Sequence, residues 1–264
     1  MKRLLIFLTL MIAFMPWQMN GQTVAKDFKY PDSVNRTDSY GNKFGYWIEK
    51  QGEMTYKGEY VTNKKVKNWI GYYPNNFIYK VEYFSNGVKD GISLQFDRHG
   101  KITILENYKN GLAHGQTVYY SQYSETPLSE TEYTNGKKNG LFRQYYDNAK
   151  LQEDTWFKDD LKNGKSKWFN KNGQMIAEYN YKDGNFDGIQ KTFYENDTVQ
   201  SVSNYIDNKQ SGESKEYYRN GKLKLSGKYL LGQKDGLWTE YDELGKVTKV
   251  TRFKEGEEEK KKSK

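Results

Sequence analysis

From about residue 44 onward the chain reads as short runs of alternating polar and apolar residues, broken by clusters of Gly, Asn and Asp. That alternation has the period of a strand, and nowhere beyond the first 21 residues does a helical period replace it. The last complete unit shows the pattern plainly. Gly236-Leu-Trp-Thr-Glu-Tyr241 reads as a strand, Asp242-Glu-Leu-Gly245 as a turn, and Val247 to Phe253 as the return strand. Turn residues at other breaks include Gly100, Gly173 and Gly221, then Gly111, Gly136, Gly184, Gly232 and Gly256, with Asp160, Asp197 and Asn208 in equivalent places. Gly, Asn and Asp tolerate the positive φ that tight hairpin turns require.

The unit recurs in register. A small residue opens each copy: Gly45, Asn68, Gly91, Gly115, Gly140, Gly164, Gly188, Gly212 and Gly236, spaced 23 to 25 residues apart. Five residues on comes an aromatic, Tyr73, Phe96, Tyr120, Tyr145, Phe169, Phe193, Tyr217 or Tyr241; only the first copy departs, with Lys50. A second aromatic column runs through Tyr60, Tyr83, Tyr108, Tyr133, Phe157, Tyr181, Tyr205, Tyr229 and Phe253. A period in this range marks a repeat architecture. The expected fold is all-β: an elongated single-sheet meander or solenoid of about nine repeated β-hairpins. Some 18 strands about 4.8 Å apart predict a sheet about 85 Å long, in which stacked aromatic columns replace a globular core.

Composition sharpens this picture. Only 35% of residues are hydrophobic and 29% are charged, a balance near that of disordered chains, yet 16% are aromatic, 24 of them Tyr. A thin, solvated sheet accommodates both facts, because Tyr and Trp rings pack while their polar atoms reach water. With 24 Gly against 4 Pro, the glycines read as turn formers. There are no Cys residues, which removes disulfides, thiolate chemistry, iron–sulfur clusters and Cys-based zinc sites.

One segment carries the repeat in full, Tyr229-Leu-Leu-Gly232-Gln-Lys-Asp-Gly236-Leu-Trp238, and two match its first half, Tyr181-Lys-Asp-Gly184-Asn-Phe-Asp-Gly188 and Tyr133-Thr-Asn-Gly136-Lys-Lys-Asn-Gly140. The pattern aromatic-x-x-Gly-x-x-x-Gly-x-aromatic resembles the MORN repeat, in the variant common among exported bacterial proteins, over about residues 41–256. The resemblance implies an elongated β-sheet without catalytic activity or cofactor, used in scaffolding, self-association or binding of acidic phospholipids. Some bacterial relatives are antitoxin components of toxin–antitoxin pairs, a role at odds with export.

The ends differ from the repeats. Residues 1–21 read as a signal peptide: Lys2 and Arg3, an apolar run from Leu4 to Phe14 broken only by Thr9, then Pro16 and Gly21. Cleavage is expected near Gly21–Gln22, the alternative being an uncleaved anchor; the run is short for a membrane span, and no later segment could cross as a helix. Residues 22–43 are expected to be a linker or N-terminal cap, 44–256 the repeat domain, and 257–264 a charged disordered tail. The protein is thus expected in the periplasm, at the outer membrane or secreted. The formal charge of +8 falls to +6 once Lys2 and Arg3 leave with the leader.

Candidate chemistry is sparse. His99 and His114 stand in turns, and Asp90, Asp187 and Asp235 precede opening glycines, where turn formation accounts for them. No metal, phosphate or nucleophile motif appears, and catalysis is not expected. Two arrangements suit binding. Arg143, Lys167, Lys191 and Lys215 share one position in successive units and so one sheet face, a basic stripe for an anionic ligand; the plainer reading is a solvated face partly neutralised by Asp154 and Glu178. Trp47, Trp69, Trp168 and Trp238 form the aromatic candidates for sugar contact, with packing as the plainer reading of the regular columns. The expected partner is another protein, including a second copy of this chain; a glycan or anionic lipid is the alternative, and nucleic acid is not expected.

Overall fold

A computed structural model describes residues 33–259. The expected signal peptide, the linker up to residue 32 and the tail from residue 260 lie outside the described residues. What is described is β throughout. Eighteen strands of six to nine residues, from Lys43–Gln51 to Val247–Lys254, make nine hairpins, and four two-residue strands accompany them. Each strand pairs antiparallel with its sequence neighbours, so the chain is one uninterrupted meander.

Two kinds of turn alternate. Between hairpins stand two-residue turns with both residues at positive φ, as at Asn86-Gly87 (φ 51 and 89), Asn110-Gly111 (φ 51 and 82) and Asp207-Asn208 (φ 47 and 64). These are type I′ turns, whose twist matches that of the strands they join. The second turn residue also donates its N–H to the preceding unit: Gly111 to Lys89 O at 2.7 Å, Gly232 to Gln210 O at 2.8 Å. Within hairpins the turn is longer. Asp97 N donates to Lys101 O at 2.8 Å and Gly100 N to Asp97 O at 3.1 Å. At the same turn position Tyr73, Tyr146, Tyr194 and Tyr218 reach across to the next unit, each hydroxyl donating to a carbonyl 23 residues on, at 2.7–2.8 Å. Both margins of the sheet are therefore stitched unit to unit.

The opening glycines are bulge residues. Between the pairs Glu82↔Ser93 and Phe84↔Lys89, three residues, Asp90-Gly91-Ile92, face Tyr83 alone, and Gly91 takes φ 124. In the second unit the positive φ falls one residue early, at Lys67 (φ 58) rather than Asn68. This early bulge corrects both aromatic columns there. Tyr72, opposite Ile78, occupies the register place of Phe96, while Tyr73 starts the turn. Phe84, opposite Lys89, joins the column of Tyr60 and Tyr108, and Tyr83 turns to the opposite face, 44% exposed. The column runs Tyr60, Phe84, Tyr108, Tyr133, each two residues before an I′ turn.

The ends differ from the expectation in detail. Residues 33–42 lie along the outer edge of strand Lys43–Gln51. Arg36–Thr37 pair with it, and the Asn35 side chain imitates a strand, accepting from Ile48 N at 2.7 Å and donating to Ile48 O at 3.2 Å. At the other end Glu257–Glu258 are not tail but a short strand paired with Phe253–Lys254.

One sheet face is packed and the other open. Apart from Val118, the buried residues all lie on the packed face, and many are polar: Ser93, Thr117, Thr131, Thr155, Ser166 and Ser214. They pair with each other, as Ser203 with Ser214 at 2.9 Å, and among the described residues no buried side-chain polar atom lacks a partner. Aromatic rings close over them. Tyr60 sits edge-on between Trp47 and Trp69, with centroids 5.6 and 5.0 Å away. Lysines cap the rings, Lys65 at 3.9 Å from the Trp69 centroid and Lys234 at 4.4 Å from that of Trp238. Each such contact contributes roughly 0.5–1 kcal/mol or more when shielded from water.

Candidate interaction face

Register turns the open face into a continuous row. Directly opposed residues can be followed strand by strand across all eighteen long strands. The row opens with Ile48, Lys57, Ile70, Val81, Leu94, Leu105 and Val118. It continues as Glu130, Arg143, Asp154, Lys167, Glu178 and Lys191. It ends with Val202, Lys215, Ser226, Thr239 and Val250. Opposed residues in an antiparallel pair share a face, so every one of these side chains lies on the same side of the sheet. The first third is aliphatic but for one lysine; the middle alternates in charge.

All four residues of the basic stripe therefore stand in one row, Arg143, Lys167 and Lys191 separated by the acids Asp154 and Glu178, and Lys191 and Lys215 by Val202. Arg143 lies 3.8 Å from Glu130 and 3.7 Å from Asp154. Lys167 stands between Asp154 and Glu178 in register, and Glu178 is itself bound by Lys165 at 3.2 Å. Lys215 is paired with Glu213 at 3.0 Å; their hydrogen bond holds the Glu213 carboxyl below its ordinary range and raises the Lys215 ammonium above its own. Beside Arg143, burial pushes the Tyr145 phenol up, Glu130 adds to the effect and Arg143 opposes it. The row is a ladder of alternating sign, which discriminates against a linear polyanion and favours a partner that alternates too.

The aromatic candidates fall on the other side. Trp47, Trp69, Trp168 and Trp238 all belong to the packed face, being one residue out of phase with the row residues Ile48, Ile70, Lys167 and Thr239. Trp69 and Trp238 are 1% and 3% exposed, so their rings are core; Trp47 and Trp168 are half-buried. Among the described residues the tryptophan that does reach solvent on the open face is Trp156, 53% exposed and opposite Leu141. It is two residues from Asp154, a spacing that places both on one face of a strand. Ile189, 49% exposed, lies on the same face and borders a shallow depression with Val202, Asn204, Glu213 and Lys215.

Neither histidine enters a site. His99 stands in the turn held by Asp97, and His114 accepts weakly from Asn135 N at 3.5 Å. No group of three or more His, Cys, Asp or Glu side chains placed to hold a metal occurs among the described residues.

The family model described as "MORN repeat variant" matches residues 89–110, 162–183, 186–207, 210–230 and 234–255. Each match spans one hairpin and stops at or near its I′ turn. The unmatched hairpins carry the local departures: a two-residue turn in the first, the early bulge in the second, the Ser121–Pro127 insertion in the fourth and Ala149 at the turn of the fifth. No curated protein matches the chain.

Proposed function

We propose a scaffold's role for this chain, which is a MORN-repeat protein: exported to the bacterial cell envelope, it holds another protein on its open face. MORN repeats form a scaffold family in which protein or lipid binding, rather than catalysis, is the general use. The observation that carries the reading is the asymmetry of the sheet. One face is closed by its own aromatic rings, while the other presents an ordered ladder of charge flanked by the exposed Trp156 and Ile189. An exposed aromatic beside complementary charges is the composition of an interface centre. The leader read in residues 1–21 supports the location.

A photo-crosslinking residue at position 156, with a control at the packed Trp168, tests this in the native host. The expected result is a discrete protein adduct from position 156 alone, on a mature chain beginning at Gln22 in the extracytoplasmic fraction. No adduct from position 156, or a cytoplasmic location, contradicts it. A second reading, anionic lipid, draws on the I′-turn margin, where Val61, Val88, Leu112, Leu161, Ile206 and Leu230 are 44–57% exposed beside lysines. Saturable sedimentation with phosphatidylserine vesicles, absent with neutral ones, would favour it.

A further inference from the structure

The geometry points to a second copy of this chain as an occupant of the open face, seated by a two-fold axis that runs along the strands between Asp154 and Lys167. This deepens the scaffold reading and rests on it. The order of the row carries this symmetry. From Val118 to Val202 the residues read Val, Glu, Arg, Asp, Lys, Glu, Lys, Val on consecutive long strands. Reversed, as a two-fold axis parallel to the strands would reverse it, the same row reads Val, Lys, Glu, Lys, Asp, Arg, Glu, Val. Laid face to face, every position meets its complement. Val118 meets Val202, Glu130 meets Lys191, Arg143 meets Glu178 and Asp154 meets Lys167, each pairing occurring twice. A patch that matches its own rotated image is what an isologous dimer requires.

The neighbouring row agrees. Trp156 follows Asp154 by two residues and Lys165 precedes Lys167 by two, both on the same side of the row. The axis therefore brings Trp156 of each copy onto Lys165 of the other, a cation–π contact at the centre of the interface. No other axis direction does this: an axis along the row would set Glu130 against Glu130 and Arg143 against Arg143. Strand twist of about 20° per step confines close contact to the strands near the axis. The buried area then falls at the small end for specific interfaces, roughly 1,200 Å² in total, and the dimer is expected in the micromolar range. Opposed charges also make it weaken with salt.

Sedimentation equilibrium on the purified chain provides the test, with Asp154→Lys, Lys167→Asp and Trp156→Ser variants. The wild-type chain should dimerise, each variant alone should dimerise at least tenfold more weakly, and all should keep the far-ultraviolet spectrum of the parent. Mixing the Asp154→Lys and Lys167→Asp chains should restore dimers, because the axis then pairs Lys with Asp at both central positions, an outcome that misfolding cannot imitate. A monomeric wild-type chain, a dimer indifferent to these substitutions, or no rescue on mixing would overturn the inference. The scaffold reading fails separately. A chain that stays monomeric yet yields a heterologous adduct at position 156 removes the dimer and leaves the scaffold.

Discussion

At the residue scale, the fold depends on who occupies positive φ. Gly100, Gly173, Gly221 and Gly245 hold φ of 82 to 91 in the within-hairpin turn, and Ala149 holds φ 61 at the same place. An L-residue with a Cβ strains there by roughly 1 kcal/mol or more. Ala149→Gly is therefore expected to stabilise the chain by about 1 kcal/mol, read as a raised urea midpoint; a lower midpoint would contradict it. Titratable residues on the packed face set a pH window. Burial pushes the Tyr60 phenol up to about 12, and the hydrogen bond and charge of Glu49 add to it; Tyr108, Tyr133, Tyr181, Tyr205 and Tyr229 move the same way, burial leading in each. Unfolded phenols ionise near pH 10 while these stay protonated, so their contribution is complete below pH 10; it fades as the pH rises through their raised values, which for Tyr60 is about 12. On the acid side burial works against the Glu82 carboxylate, but Lys89 and Lys80 outweigh it and hold its pKa below the usual 4.5. That contribution is complete above pH 4.5 and fades as the pH falls through the lowered value. Urea midpoints measured from pH 3 to 12 should show a plateau bounded on both sides; stability still rising above pH 10 would contradict the account.

At the element scale, the strands were legible because their alternation repeats, and their exact phase was not. Counting from the opening residue puts Tyr73 and Tyr83 in the columns; counting from the I′ turn gives Tyr72 and Phe84, because the bulge in the second unit starts at Lys67. Turns fix register and bulges absorb the slack, so the turn is the better origin. The same bookkeeping finds Trp156, which shares the parity of Asp154, and removes Trp69 and Trp238 from the exposed set. What alternation alone does not reveal is that Ser166 and Thr155 are buried: the two hydroxyls pair with each other across adjacent strands, and the Trp168 indole donates to Ser166. Two strand glycines tie these levels together. A Cβ on Gly58 would come within 2.3 Å of the Trp69 ring, and one on Gly227 within 2.2 Å of Trp238. Both indoles lie flat on bare backbone, their Nε1 donating to Glu59 O at 3.1 Å and Lys228 O at 3.2 Å. Gly58→Ala and Gly227→Ala should each cost about 1–3 kcal/mol through overpacking, checked by denaturation. Neutral outcomes would mean the rings are free to lift.

At the scale of the whole molecule, each hairpin touches mainly its neighbours, so stability should accrue unit by unit. Removing the last hairpin, Gln233 to Glu258, should lower the unfolding midpoint by an increment and leave the remaining sheet folded; complete loss of β structure would mean a more global cooperativity. The open face inherits its order from this linearity, since only a sheet that never closes on itself keeps one unbroken row across eighteen strands. Small-angle X-ray scattering, at a concentration where the chain is monomeric, tests that claim most directly. An extended sheet of eighteen strands spaced about 4.8 Å predicts a distance distribution tailing to about 85 Å and a radius of gyration of about 25 Å or more. A symmetric distribution with a radius of gyration near the roughly 18 Å of a compact chain of this length would contradict it.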